Sequence, residues 1–165
     1  MTTQPIKRSK HLLTLSKDHH AGLLFCWKIK EGLKRNIELY RIRKYINFFW
    51  EHHLKEHFQE EETLLLVQID DPLCQQGKTE HLMLENRLQQ LNYYEHEAAE
   101  EYVLFAELLI KHIRFEERVL FPHLEAVLPS SVLSNIGEVL AQQNPAPFQE
   151  EYPDEFWIPK NDKAD

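Results

Sequence analysis

Leu12, Leu15, Leu23, Cys26, Ile29 and Leu33 recur at steps of three, four and seven residues, the spacing that lines one face of a helix. This predicts a first helix from Lys10 to about Leu33. Gly32 and Asn36 then loosen the chain. From Ile37 onward, Leu39, Ile42, Ile46, Phe49, Leu54, Phe58 and Leu65 trace a second helix to about Val67, where the Asp70-Asp71-Pro72 cluster breaks it. Leu84, Leu88 and Leu91 mark a third over residues 75–92. Tyr102, Phe105, Leu108, Leu109 and Val119 mark a fourth over residues 95–120, with Pro122 set to kink or end it. Short links force neighbouring helices antiparallel, so the expected fold is all-α, an up-down-up-down four-helix bundle over residues 10–128. Ser130 and Ser131 are expected to be able to cap a shorter C-terminal helix over 129–143. Residues 1–9 read as a tail, and residues 144–165, with Pro145, Pro147, Pro153 and Pro159 among acidic and aromatic side chains, as a Pro-rich acidic tail able to lie across the bundle.

An internal repeat changes this picture from a scaffold to a site. Residues 57–65 and 112–120 both read HxxxEExxL. Positions i and i+4 lie one turn apart, so His57 with Glu61, and His112 with Glu116, each present an imidazole and a carboxylate about 6 Å apart along the axis. His57 and Glu61 share the arc of Leu54, Phe58 and Leu65, while His112 and Glu116 share that of Phe105, Leu108 and Val119, so both pairs point inward. Buried carboxylates are costly unless paired, and a cation on the bundle axis accounts for them most simply; buried His–Glu hydrogen bonds are the plainer alternative.

The other two helices each add an inward histidine. His19 stands at the centre of the first apolar stripe, with His20 nearer its edge as the alternative. His81 precedes Leu84, Leu88 and Leu91 on the core stripe, with Glu85 one turn on as a further candidate ligand. His53, one turn before His57, reads as a hydrogen-bond partner behind the ligands or as an alternative ligand. The candidate metal set is therefore His19, His57, Glu61, His81, Glu85, His112 and Glu116. Four imidazoles with two or three carboxylates exceed a four-coordinate zinc site and suit iron, as a pair of ions; manganese or zinc are possible substitutes.

Composition narrows the function. With 27 acidic against 19 basic side chains the formal charge is −8, which argues against nucleic acid or an anionic membrane as partner. The longest aliphatic run, Leu64 to Val67, is far too short to span a bilayer, and the polar first ten residues lack the apolar stretch of a secretory signal; a cytoplasmic protein is expected. Cys26 and Cys74 have no CxxC spacing and read as free thiols.

Asp18-His19-His20, His57 with Glu61, His81, and His112 with Glu116 followed by Leu120-Phe121-Pro122 resemble the hemerythrin-like, or HHE cation-binding, domains over residues from about 10 to 128. The resemblance implies a non-haem, usually di-iron, centre ligated by the matching residues that binds dioxygen, nitric oxide or peroxide, or reports on iron and redox state. It also implies a departure: oxygen-carrying members have a second histidine where Glu85 stands, so a more carboxylate-rich set here favours ferric iron over reversible oxygen carriage. The expected function is binding or sensing of such a small ligand. The alternatives are weak oxidoreductase activity, iron storage or delivery, and a helical interaction module with a structural metal; the absence of HExxH argues against a zinc protease.

Overall fold

In the computed structural model, which describes residues 7–93 and 98–160, all regular structure is helical, with no strand among the described residues. A 3-10 turn at Lys10–Leu12 leads into α1 (Leu13–Lys34). Then follow α2 (residues 39–66), α3 (Pro72–Tyr93), α4 (residues 99–127) and α5 (Ser130–Gln143). Helix α1 packs on α2 and α4, and α3 packs on the same two.

Local chemistry sets the boundaries. Asn36 ends α1 in the left-handed region (φ 53°), and the Ile37 N–H reaches back to the Gly32 carbonyl at 3.0 Å, closing the helix end. The third helix begins at Pro72, earlier than the expected residue 75. Proline costs nothing at a first helical position, and Asp71 Oδ1 accepts the Cys74 N–H at 2.9 Å, so the cluster that ends α2 also starts α3. Glu95, the expected start of the fourth helix, lies outside the described residues, as does His96; the described helix begins at Ala99.

Three expectations need correction. Pro122 does not end α4, which runs on through Val127. A π turn precedes it at Glu116–Leu120, where the Phe121 N–H bonds to the Glu116 carbonyl five residues back; the ladder is already widened there, and the proline ring is absorbed. The same turn shifts the inward face, burying Leu120 and Phe121 fully and leaving Val119 44% exposed rather than in the core. On α1 the buried line runs Leu15, His19, Gly22, Cys26, Ile29, while Leu23 is 39% exposed. Gly22 keeps the inward place because a Cβ there would stand 3.0 Å from Ile113 Cδ1 on α4.

The apolar core is in two parts. One contains Phe25, Ile46, Phe58, Leu84, Phe105 and Leu109, the other Leu15, Leu65, Cys74, Leu120, Phe121 and Leu124. Along each of the four helices the inward histidines and glutamates fall in sequence between members of the two parts, so they form a polar layer dividing the core. After α5 the chain crosses α1 and α2 as a strap. Phe156 and Trp157 are buried, and Arg41 grips Asp154 through two hydrogen bonds of 2.9 and 2.7 Å. The Tyr45 hydroxyl and the Lys28 ammonium both donate to Glu150.

Candidate metal centre

The polar layer is built by four helices in two matched halves. Helix α1 contributes His19; α2 contributes His57 and Glu61; α3 contributes His81; α4 contributes His112 and Glu116. All six are at most 3% exposed, and both glutamates are fully buried. Glu61 and Glu116 each open a π turn, Glu61–Leu66 and Glu116–Leu120, at equivalent places in the two copies of HxxxEExxL. A widened turn of this kind is a recurrent feature of functional sites.

The ligand-type atoms of these side chains converge as two groups that share one residue. Glu61, His81, His112 and Glu116 form one, and His19, His57 and Glu61 the other, with the atoms of each within 4.8 Å of one another. His57 Nε2 and Glu61 Oε1 lie side by side at 2.5 Å, and His112 Nε2 meets Glu116 Oε1 in the same way. His81 Nε2 is 3.7 Å from Glu61 Oε1 and 3.5 Å from Glu116 Oε1, and His19 Nε2 is 3.9 Å from an oxygen of each glutamate. None of the four Nε2 atoms and none of the four carboxylate oxygens has an aligned hydrogen-bond partner. Eight buried polar atoms facing one another without partners are costly, and nitrogen and oxygen donors at these separations fit cations placed between them.

The opposite edge of every imidazole is fully engaged. His57 Nδ1 donates to Asp18 Oδ2 at 3.0 Å, and His112 Nδ1 to Glu80 Oε1 at 2.9 Å. His19 Nδ1 donates to Glu117 Oε1 at 2.7 Å, and His81 Nδ1 to Glu62 Oε1 at 3.2 Å. Each bond crosses to a neighbouring helix: α2 to α1, α4 to α3, α1 to α4, α3 to α2. In the neutral ring a proton held at Nδ1 leaves the Nε2 lone pair aimed inward, the tautomer a metal requires, and the carboxylate raises the basicity of the ring. These four acids are absent from the sequence-derived set. Their signal was present, because each stands next to a candidate ligand: Asp18-His19, Glu61-Glu62, Glu80-His81 and Glu116-Glu117.

Electrostatics report the same demand for positive charge. Burial works against a charged His57, yet Glu61 and Asp18 outweigh it and raise its pKa well above the usual value. Burial likewise opposes charge on His81 and His112, but Glu116 with Glu62 raises the first, and Glu116 with Glu80 raises the second to about 10. Glu61 is raised by burial and by the Glu116 charge. Burial would raise Glu116 as well, but the His112 charge beside it holds it well below the carboxylate range.

The remaining candidates sit outside the converging atoms. Glu85 is only half-buried and belongs to neither group. His20 is exposed on the outer side of α1, whereas His19 faces the layer. His53 is buried with its ring stacked 4.0 Å from Phe148, and its Nε2 is 3.8 Å from Asp18 Oδ1; it stands behind the acid that holds His57. Glu60 is 5% exposed and accepts from the Asn144 amide at 2.8 Å, which ties the start of the strap to α2. Cys26 and Cys74 are free and buried, the Cys26 thiol pushed up to about 12 by burial.

No family model, curated protein or solved structure matches the chain. No helix among the described residues is long and apolar enough to cross a membrane.

Proposed function

We propose that the chain is a hemerythrin-like four-helix bundle whose interior holds two iron ions and binds or senses a small ligand: dioxygen, nitric oxide or peroxide. In this reading His19, His57 and Glu61 would hold one ion, and Glu61, His81, His112 and Glu116 would hold the other. The observation that carries the proposal is the polarity of the imidazoles: every Nδ1 is tied to a carboxylate on a neighbouring helix, and every Nε2 is left without a partner beside two fully buried glutamates. A structural polar core would use both ring nitrogens for hydrogen bonds. Here one edge is used, and the other is presented to a common point.

The donor set favours iron over zinc. Each group offers two imidazoles with one or two carboxylates, a mixed nitrogen and oxygen set that would suit iron at five or six coordination and would leave a position for an exogenous ligand. The two inner and four outer carboxylates outnumber the guanidinium that faces them, Arg8 at Glu117, so with neutral imidazoles the layer is strongly negative and favours multivalent cations. Bound iron supplies Lewis-acidic, redox-active positions for a diatomic or peroxide ligand. The protein orients the ligands through Asp18, Glu62, Glu80 and Glu117, and its two apolar core halves keep bulk water from the layer.

Titration of iron-loaded protein with nitric oxide, azide and peroxide tests the reading. A saturable change in the visible spectrum at one ligand per iron pair is expected. An iron-loaded protein that shows no spectral response to any of them contradicts ligand binding and leaves the iron structural or stored.

A further inference from the structure

The four acids behind the imidazoles are themselves held differently. Glu80 Oε2 accepts from the Gln76 amide at 2.8 Å, Asp18 Oδ1 faces His53 Nε2 at 3.8 Å, and the Glu62 side chain is 41% exposed. Glu117 instead meets a guanidinium. Arg8, in the segment ahead of α1, places Nη2 3.1 Å from Glu117 Oε2 and donates also to the Glu117 backbone carbonyl, while Nη1 lies 2.6 Å from Glu125 Oε1. Its side chain is only 7% exposed. The guanidinium carbon lies 5.3 Å from the centroid of the Phe121 ring, and that ring stacks on His19 at 5.3 Å with planes 17° apart.

Both faces of the His19 environment therefore end on Arg8. One oxygen of Glu117 holds His19 and the other holds Arg8, so the plane of the carboxylate is set from both sides. Glu117 is 28% exposed, and without the guanidinium its carboxylate is free to turn toward water, releasing Nδ1 and the inward aim of Nε2. A planar fork that contacts two carboxylates is a task for arginine rather than lysine.

We propose that Arg8 is a positioning residue for the His19 half of the metal centre, acting through Glu117. The assignment rests on the metal-centre reading above, but its first consequence is visible without metal. In the metal-free full-length protein, long-range nitrogen–proton NMR of the imidazoles reads the protonation pattern of each ring, and the tautomer where the ring is neutral. Arg8→Ala is expected to mix the tautomers of His19 and to leave His81 and His112 unchanged, while Arg8→Lys is expected to give partial return. In iron-loaded protein, Arg8→Ala is expected to speed release of one iron of the pair to a chelator by roughly three- to tenfold. That is less than the ten- to hundredfold typical of losing a carboxylate that directly supports a ligand. Combined with Glu117→Ala, Arg8→Ala is expected to add nothing.

Circular dichroism and thermal melting of Arg8→Ala and Arg8→Lys establish that the fold is kept. An unchanged His19 tautomer, equal effects on all four rings, or an effect additive with Glu117→Ala overturns the proposal. Failure of the wild-type protein to hold iron overturns the metal reading instead, and the metal-free NMR result still decides whether Arg8 positions His19.

Discussion

His57 on α2 and Asp18 on α1 are joined by a 3.0 Å hydrogen bond from Nδ1 to Oδ2, and the same bond recurs at 2.9 Å between His112 on α4 and Glu80 on α3. An acid beside one histidine serves the histidine of the next helix, so the packing of the helices and the orientation of the buried histidines fix each other. Asp18→Ala and Glu80→Ala are each expected to lower metal affinity by roughly ten- to hundredfold, because outer-shell acids orient and strengthen imidazole ligands. Competition titration against a chelator of known affinity measures this. Equal affinities in variant and wild type would mean that the acids serve stability alone.

Glu61 belongs to both converging groups and Glu116 to one. Glu61→Ala is therefore expected to lose both ions, and Glu116→Ala to keep a larger share of one. Elemental analysis of the two purified variants distinguishes this from an equal loss. Glu85 belongs to neither group, and Glu85→Ala is expected to leave metal content unchanged, read by the same method.

Gly32 lies beneath the strap, where a Cβ would stand 2.6 Å from the Phe156 ring. Phe156 is itself buried, so Gly32→Ala should force its ring outward at a cost of about 1–3 kcal/mol. The measurement is the thermal midpoint together with Trp157 fluorescence, expected to shift toward that of an exposed indole. An unchanged midpoint and emission maximum would show that the strap is not seated on Gly32.

Asp154 is held below its ordinary carboxylate range, first by its hydrogen bonds to Arg41 and then by the Arg41 charge. A lowered folded-state pKa contributes stability that is present above the unfolded value, about 3.9, and is lost as pH falls through the folded value. Strap release is therefore expected on acidification below about pH 4, with Trp157 fluorescence as the probe. Asp154→Asn should abolish that transition while leaving later acid unfolding. A transition identical in the variant would assign it to other carboxylates.

Much of the helical layout is legible in the sequence because the apolar repeat is regular: Leu84, Leu88 and Leu91 on α3 and Ile42, Ile46 and Phe49 on α2 are buried as their spacing requires. The repeat also exposes the inward pairs His57 with Glu61 and His112 with Glu116. What the pattern misplaces follows from departures from a uniform helix. The π turn at Glu116 moves Val119 outward and lets the helix pass Pro122, and neither effect has a period to read. The outer acids escape for another reason: a helical wheel sorts residues into inward and outward, whereas Asp18, Glu62, Glu80 and Glu117 lie on the flanks, where their partners are on other helices. The strap is legible as a composition change only, since its anchors on Arg41, Tyr45 and Gly32 are distant in sequence.

The most direct test is the metal content of the full-length protein purified from iron-supplemented cells, measured by elemental analysis together with its visible absorption before and after reduction. Close to two irons per chain, with a ferric charge-transfer band that bleaches on reduction, is the expected result. Protein that carries no stoichiometric metal after iron loading, while keeping its helical fold, would contradict the metal centre and leave the buried histidines and glutamates as a structural polar layer.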